Sequence, residues 1–316
     1  MILATSAHQA FAERVEERLE QAVATDPGAV ARAGAQTLRS GGKRLRPLLV
    51  SMCATDAARG RDELVRAGCA VELVHMATLV HDDVLDAAPL RRGHPTVWRT
   101  DGRGLATATG DHLFARAFAE LTATGDMPAV AILADACLSL ARGEILQRHQ
   151  ACDPSVTVDG YLERCTLKTG RLFSAAARLG ARFSQLPADD AAALGRFAEA
   201  LGLAFQIADD VLDCDGDPDT TGKPLGTDLL DGTVTLPLLL AARRDPQVAD
   251  VIARGARPDD VLPTLARVVS SGAVAEARAE AQRLAERATA ELDAVGAPVD
   301  TEALREAVLL ASDRSA

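Results

Sequence analysis

The chain has 316 residues, enough for one large globular domain or two smaller ones, and 48% of them are apolar, so a sizeable core can be buried. The formal net charge is −11, which argues against a nucleic-acid binder on bulk grounds. Aromatic residues make up only 3%, and the apolar content is mostly Ala, Leu and Val, a composition that favours helix over sheet. The six cysteines include no CxxC pair, so neither a zinc ribbon nor a disulfide framework is expected; a reducing, cytoplasmic compartment fits. Glu13, Glu16 and Glu17 stand where a secretory leader would be basic and then apolar. No run approaches the roughly 18 apolar residues of a membrane span.

Helical periodicity dominates from the start. Residues 8–24 carry Phe11, Val15, Leu19 and Val23 at a spacing of four, which predicts an amphipathic helix. Further helices are predicted over 45–58, 62–86, 104–122, 129–150, 158–182, 189–213, 235–242, 273–295 and 301–311. Breaks fall at Gly, Pro and Asp clusters: 40–42, 86–95, 152–154, 186–187 and 215–226. No alternation long enough for a sheet occurs. A single all-α domain over 1–316 is the economical reading.

One internal echo stands out. The pentapeptide DDVLD occurs at Asp82–Asp86 and again at Asp209–Asp213, each time at the end of an apolar helical run. Asp at i and i+4 lie on one helix face, one turn apart, where like charges repel unless a cation sits between them. Hard oxygen ligands in this arrangement suit Mg2+, which keeps waters and takes phosphate oxygens. One such motif alone is more often a solvated acidic helix end; two copies in apolar helices argue otherwise. Asp82, Asp83, Asp86, Asp209, Asp210 and Asp213 are therefore candidate metal-site residues.

Cations suited to phosphate lie nearby in sequence. GGKRLRP places Lys43 and Arg46 at a glycine-flexible helix start. Arg91 and Arg92 offer planar forks, and Lys168 and Lys223 add donors. His75 is seven residues before Asp82, on nearly the same face; a core histidine is the default for such a residue, and its alignment with the acidic face points to phosphate. Together these describe a site for two polyphosphates bridged by metal.

These segments resemble the trans-isoprenyl (polyprenyl) diphosphate synthase family, in its medium- and long-chain bacterial members. The resemblance is carried by GGKRLRP (41–47), ELVHMATLVHDDVLD (72–86), RRGHPTVW (91–98), GDHLFARA (110–117), GEILQ (143–147), KTGRLF (168–173), FQIADDVLD (205–213) and GKPLGTDLLDGTVTLP (222–237). It implies a bundle of about a dozen helices around a central cavity, usually as a homodimer. It implies three Mg2+ ions held by Asp82, Asp86 and Asp209 on an allylic diphosphate (geranyl, farnesyl or geranylgeranyl), with Asp83, Asp210 and Asp213 as water-mediated or outer partners. Lys43, Arg46, His75 and Arg92 match the isopentenyl diphosphate site. Arg91, Lys168 and Lys223 match allylic diphosphate contacts, and Thr169 and Gln206 match residues that steady a cation. Thr233 stands where many relatives have Lys, which puts one diphosphate contact in doubt.

Two rivals are weighed. A class I terpene cyclase shares the fold and the first motif but generally carries an Asn/Ser/Glu second motif and does not need GGKRLRP. A non-catalytic subunit of a heteromeric synthase typically loses the aspartates, and all six are present here. For product length, Ala77 and Thr78 lie about one turn before Asp82, where bulky aromatics floor the cavity of short-chain relatives. Nothing aromatic occurs between Asp62 and His81, so the floor is expected at Phe118, which shares a face with Phe114. A product of about C30 to C50 follows, with C20–C25 as runner-up.

Overall fold

The computed structural model describes residues 6–25, 28–216 and 224–312, and among these the chain is almost wholly helical. The helices are α1 (Ser6–Ala24), α2 (Ala29–Arg39), α3 (Leu45–Met52), α4 (Asp56–Arg59), α5 (Asp62–Leu85), α6 (Val97–Thr122), α7 (Met127–Gln150), α8 (Val158–Cys165), α9 (Arg171–Phe183), α10 (Ala188–Asp215), α11 (Thr227–Leu230), α12 (Leu236–Ala242), α13 (Pro246–Arg254), α14 (Val261–Ser270), α15 (Ala273–Leu292) and α16 (Thr301–Ser312). A π-turn, Thr166–Gly170, joins α8 to α9. The one sheet among the described residues is a two-residue pairing of β1 (Leu90–Arg91) with β2 (His94–Pro95).

The chain forms two compact units. The first holds residues 1–137, 175–195 and 295–304; the second holds 138–174, 196–294 and 305–316. In the first, α5 packs chiefly along α6 and also against α1 and α3. Because it is surrounded, α5 has almost no polar face: Leu64, Ala67, Cys69, Ala70, Val71, Leu73, Val74 and Ala77 are fully buried. Gly68 makes the close approach of α1 possible, since a Cβ there would lie 3.0 Å from Val15 and 3.2 Å from Phe11. In the second unit, α12 is an unbroken apolar run packed by α13, α14 and α15.

Several elements depart from expectation, each for a local reason. The helix expected over 45–58 is two, α3 and α4, because Cys53 and Ala54 close the α3 C-terminus by bonding back to Leu49 and Ser51. Helix α6 begins at Val97 rather than 104: Thr96 caps it by accepting from Arg99 N–H at 3.2 Å, and the chain kinks at Gly102 (φ 83°). The run expected over 158–182 is interrupted by the π-turn. Helices α2, α11, α13 and α14 were not predicted. Two helices, α5 and α10, are long and apolar enough by length and composition to cross a membrane, contrary to the expectation that no run comes close; 72% and 67% of their apolar windows are buried inside the protein. Their apolarity is that of core helices.

A buried charge cluster pins α1, α5 and α6 together. Glu120 is 1% exposed and accepts from Arg18 Nε (2.8 Å) and Nη2 (3.0 Å), Arg66 Nη1 (3.0 Å) and Arg116 Nη2 (3.4 Å). Removing the carboxylate leaves three guanidinium groups without their shared counter-charge. Glu120→Ala is expected to lower the unfolding free energy by ~3–5 kcal/mol, read from the urea midpoint; a loss under ~1 kcal/mol would show that the cluster contributes little.

Candidate active site

The first acidic motif ends α5. Asp86 is the C-cap, its N–H bonding Asp82 C=O at 2.8 Å, and Ala88 N–H closes onto Asp83 C=O at 3.0 Å. A helix C-terminus carries partial negative charge, so acids there are doubly unfavourable without a cation. Asp82 is half-buried and Asp86 exposed, whereas Asp83 is buried and accepts from Arg91 Nε at 2.7 Å. Burial raises the Asp83 carboxyl; the Arg91 guanidinium opposes that shift.

Arg91 and Arg92 sit in the short hairpin that follows. Arg92 (φ 52°) and Gly93 (φ 78°) both take positive φ between β1 and β2, the conformation of a type I′ two-residue turn. A β-carbon is costly there, so the backbone conformation does not explain an arginine at the tip. The Arg92 guanidinium packs over Gly42, where a Cβ would lie 2.9 Å from Nη1. That contact joins the hairpin to the glycine loop that bears Lys43 and leads into α3, where Arg46 lies. His75, two turns before Asp82, lies among the same cations. Burial first, then the charges of Arg46, Arg92, Arg91 and Arg44, hold its imidazole well below the ordinary value, so it is neutral at pH 7. The first unit thus brings Arg46, His75 and Arg92 into one cationic neighbourhood, and Lys43 is exposed on the adjoining loop.

The second motif lies in the last turns of α10. Asp209 is exposed, while Asp210 is buried and held from two sides: Tyr161 O–H donates to Oδ2 at 2.6 Å and Gln206 Nε2 donates to Oδ1 at 2.9 Å. Burial pushes the Asp210 carboxyl up to about 6, against the pull of Tyr161 and Gln206. Asp213 turns to the chain that follows, accepting Thr227 N–H (3.0 Å) and Asp228 N–H (3.2 Å) at the start of α11. Gln206 also accepts from Thr169 Oγ1 at 2.9 Å, so Thr169, Gln206 and Asp210 form one directed chain of hydrogen bonds.

Thr169 and Lys168 lie in the π-turn, a geometry that redirects side chains and backbone carbonyls and recurs at functional sites. Gly143 backs this turn: a Cβ there would lie 2.7 Å from Lys168 Cγ. Lys168 Nζ pairs with Glu144. Burial would raise the Glu144 carboxyl, but Lys168 and Arg148 together pull it below the usual range. Lys223 lies outside the described residues.

For chain length, Ala77 is fully buried and Thr78 is half-buried, its hydroxyl donating to His75 C=O at 2.8 Å. Phe114 and Phe118 are both half-buried on α6. The Phe114 ring meets His81, ring centroids 5.8 Å apart, and Gly110 supplies the room, since a Cβ there would overlap the imidazole. His81 was not singled out by sequence reasoning; its place immediately before Asp82 was the available signal. Tyr161, Glu144 and Arg44 were also missed. Arg44 lies in GGKRLRP and Glu144 in GEILQ, but their partners, like that of Tyr161, stand far along the chain and are not read from local sequence.

Among the described residues, no three His, Cys, Asp or Glu side chains converge closely enough to hold a metal ion by themselves.

The Tyr161–Asp210 bond carries a pH signature. An acid whose folded pKa is raised from 3.8 to about 6 costs stability progressively as pH climbs through that interval, and the full cost stands above it. Removing the tyrosine hydroxyl deletes a donor that favours the charged form. Tyr161→Phe is therefore expected to lose ~1–3 kcal/mol at pH 8 and clearly less at pH 5, measured by chemical denaturation at both values. An equal loss at both pH values would show that the hydroxyl does not support the carboxylate.

The polyprenyl synthetase family pattern matches residues 28–266. Heptaprenyl diphosphate synthase component 2 of Geobacillus stearothermophilus is 38% identical over 257 residues, covering 81% of this chain and 80% of that protein. Octaprenyl diphosphate synthase of Escherichia coli K12 is 32% identical over 264 residues, 82% of each chain. The crystal structure of heptaprenyl diphosphate synthase from Staphylococcus aureus superposes with a TM-score of 0.91 at 29% identity, covering 98% of this chain and 99% of that one. With the family match spanning most of its length, the chain belongs to the polyprenyl synthetase family.

Proposed function

We propose that the chain is a Mg2+-dependent trans-prenyltransferase. It joins isopentenyl diphosphate head-to-tail to an allylic diphosphate and yields an all-trans polyprenyl diphosphate of about C30 to C50. The observation that carries this reading is the pair of DDVLD motifs. Each lies at the C-terminal end of an apolar helix with its middle carboxylate clamped, in a chain whose relatives are named heptaprenyl and octaprenyl diphosphate synthases. Residues 1–316 read as one polyprenyl synthase domain, since the family match runs through both compact units.

Each group has a defined task. Lys43, Arg46, Arg92 and neutral His75 bind the isopentenyl diphosphate phosphates by charge and hydrogen bonding. Asp82, Asp86 and Asp209 would hold Mg2+, three ions in all with the allylic diphosphate; Asp83, Asp210 and Asp213 orient these ligands from behind. Bound Mg2+ supplies Lewis-acid charge to a departing diphosphate. Arg91, Lys168 and Lys223 add positive charge to the allylic diphosphate, and the C–O bond breaks to leave a delocalised allylic cation and free pyrophosphate. Thr169 and Gln206 offer oxygen dipoles to that cation. The double bond of isopentenyl diphosphate then attacks it, forming the new C–C bond, and a proton leaves to pyrophosphate. Apolar walls exclude the water that would quench the cation.

Ala77 and Thr78 leave the shaft beside α5 open, and Phe118 is its floor. A homodimer is supported by the exposed apolar residues Leu138 and Ile145, two turns apart on α7. The Geobacillus relative is named as one component of a synthase, so a second, different subunit is the competing assembly. All six cysteines are unpaired, which supports a cytoplasmic setting.

Asp82→Ala and Asp209→Ala are each expected to lower turnover about a thousandfold or more with helix content unchanged, the loss of several kcal/mol of transition-state stabilisation. Near-normal turnover in either variant refutes the metal assignment. Product mass tests the shaft separately: Ala77→Phe or Thr78→Phe shortens the product, and Phe118→Ala lengthens it. Unchanged product lengths in all three place the length ruler elsewhere.

A further inference from the structure

The chain between α2 and α3 turns on Arg44, which takes φ 48° and ψ 35° although two glycines, which tolerate that conformation freely, precede it. The side chain explains the choice. Its Nε and Nη2 grip both oxygens of Glu16 on α1 (2.9 and 3.0 Å), Nη1 bonds Glu72 on α5 (3.0 Å), and Nη2 also bonds Leu38 C=O at the end of α2 (3.1 Å). Three helices therefore fix one turn. Four of the five guanidinium N–H donors are used in doing so, which leaves Arg44 little with which to hold a ligand.

What the turn carries is the cation cluster. Lys43 is exposed on one side of Arg44, and Arg46 stands two residues beyond it. The Arg44 and Arg92 guanidiniums both press on Gly42, where a Cβ would lie 3.0 and 2.9 Å from them. Glu72 is 3% exposed, lies one turn before His75, and also acts on the Arg92 charge. A buried carboxylate beside a phosphate-binding patch is unfavourable for the anion it faces. Its presence is accounted for if its work is to hold arginines in place.

We propose that Arg44, braced by Glu16 and Glu72, is a positioning residue: it fixes the turn that presents Lys43, Arg46 and Arg92 to a diphosphate. The proposal rests on reading that patch as the isopentenyl diphosphate site. Arg44→Met keeps the apolar stem and removes every donor; Arg44→Lys keeps the charge without the fork; Glu72→Gln keeps the shape without the charge.

The test is steady-state kinetics of these three variants and of Lys43→Ala, both substrates varied, below the unfolding temperature of each. Arg44→Met and Glu72→Gln are expected to raise KM for isopentenyl diphosphate about tenfold or more, with the allylic KM and kcat within about twofold of wild type, and Arg44→Lys to fall between. A purely structural ion pair would move the unfolding temperature and leave that split untouched. KM for isopentenyl diphosphate unchanged in both Arg44→Met and Arg44→Lys, while Lys43→Ala raises it, overturns the positioning role and leaves the site assignment standing. If Lys43→Ala raises the allylic KM and Arg44→Met follows it, the substrate assignment falls and the positioning role stands. If Arg44→Met does not fold, Arg44→Lys and Glu72→Gln decide: both at wild-type KM refute it.

Discussion

The constraint on which the site depends is the crowding of carboxylates at the C-terminal ends of two long core helices. Asp82, Asp83 and Asp86 close α5, and Asp209, Asp210 and Asp213 occupy the last turns of α10. The helix dipole is negative there and i, i+4 acids repel, so each cluster opposes the folding of its own helix. The burial of the apolar bodies of α5 and α10 offsets this. Sequences carry such a cost where function requires it, and in the proposed reaction a cation bound with an anionic substrate would turn the cost into affinity.

The two motifs solve the problem in parallel ways with different partners. In each, the middle aspartate is buried and clamped, Asp83 by Arg91 and Asp210 by Tyr161 and Gln206, while Asp82, Asp86 and Asp209 lie nearer solvent. The clamps differ in chemistry. Arg91 supplies charge and belongs to the hairpin that also presents Arg92. Tyr161 is neutral, itself fully buried, and its ring lies under the Arg164 guanidinium at 5.3 Å. The Asp210 clamp continues through Gln206 to Thr169 in the π-turn, so the three side chains are held by one network.

Much of this was legible in the sequence because it is local. The four-residue spacing of aspartates, the glycine loop before a helix start and the paired arginines each fix chemistry within a few residues. The long helices announced themselves by periodicity and by the Gly, Pro and Asp breaks between them. What could not be read depends on distant partners. Arg44 meets acceptors 28 residues away on either side, and Tyr161 meets Asp210 across 49. Helix α2 segregates its polar and apolar residues well but is only 11 residues long and carries Gly34 near its middle, which lowers a helix reading before its packing on α1 and α6 is known. The type I′ turn was hidden because its first central residue is Arg92 rather than Asn or Asp. The apolarity of α5 and α10 was underestimated because each also carries a charged motif at its end.

The central claim is that this chain extends an allylic diphosphate by repeated addition of five-carbon units in a reaction that needs a divalent cation. Its most direct measurement is incubation of the purified chain with farnesyl diphosphate and excess isotope-labelled isopentenyl diphosphate, with Mg2+ or with a chelator, products read by mass spectrometry. The account predicts a ladder of labelled prenyl diphosphates ending at about C30 to C50, and none with the chelator. A cyclised hydrocarbon with release of pyrophosphate, or no consumption of isopentenyl diphosphate at all, would contradict it.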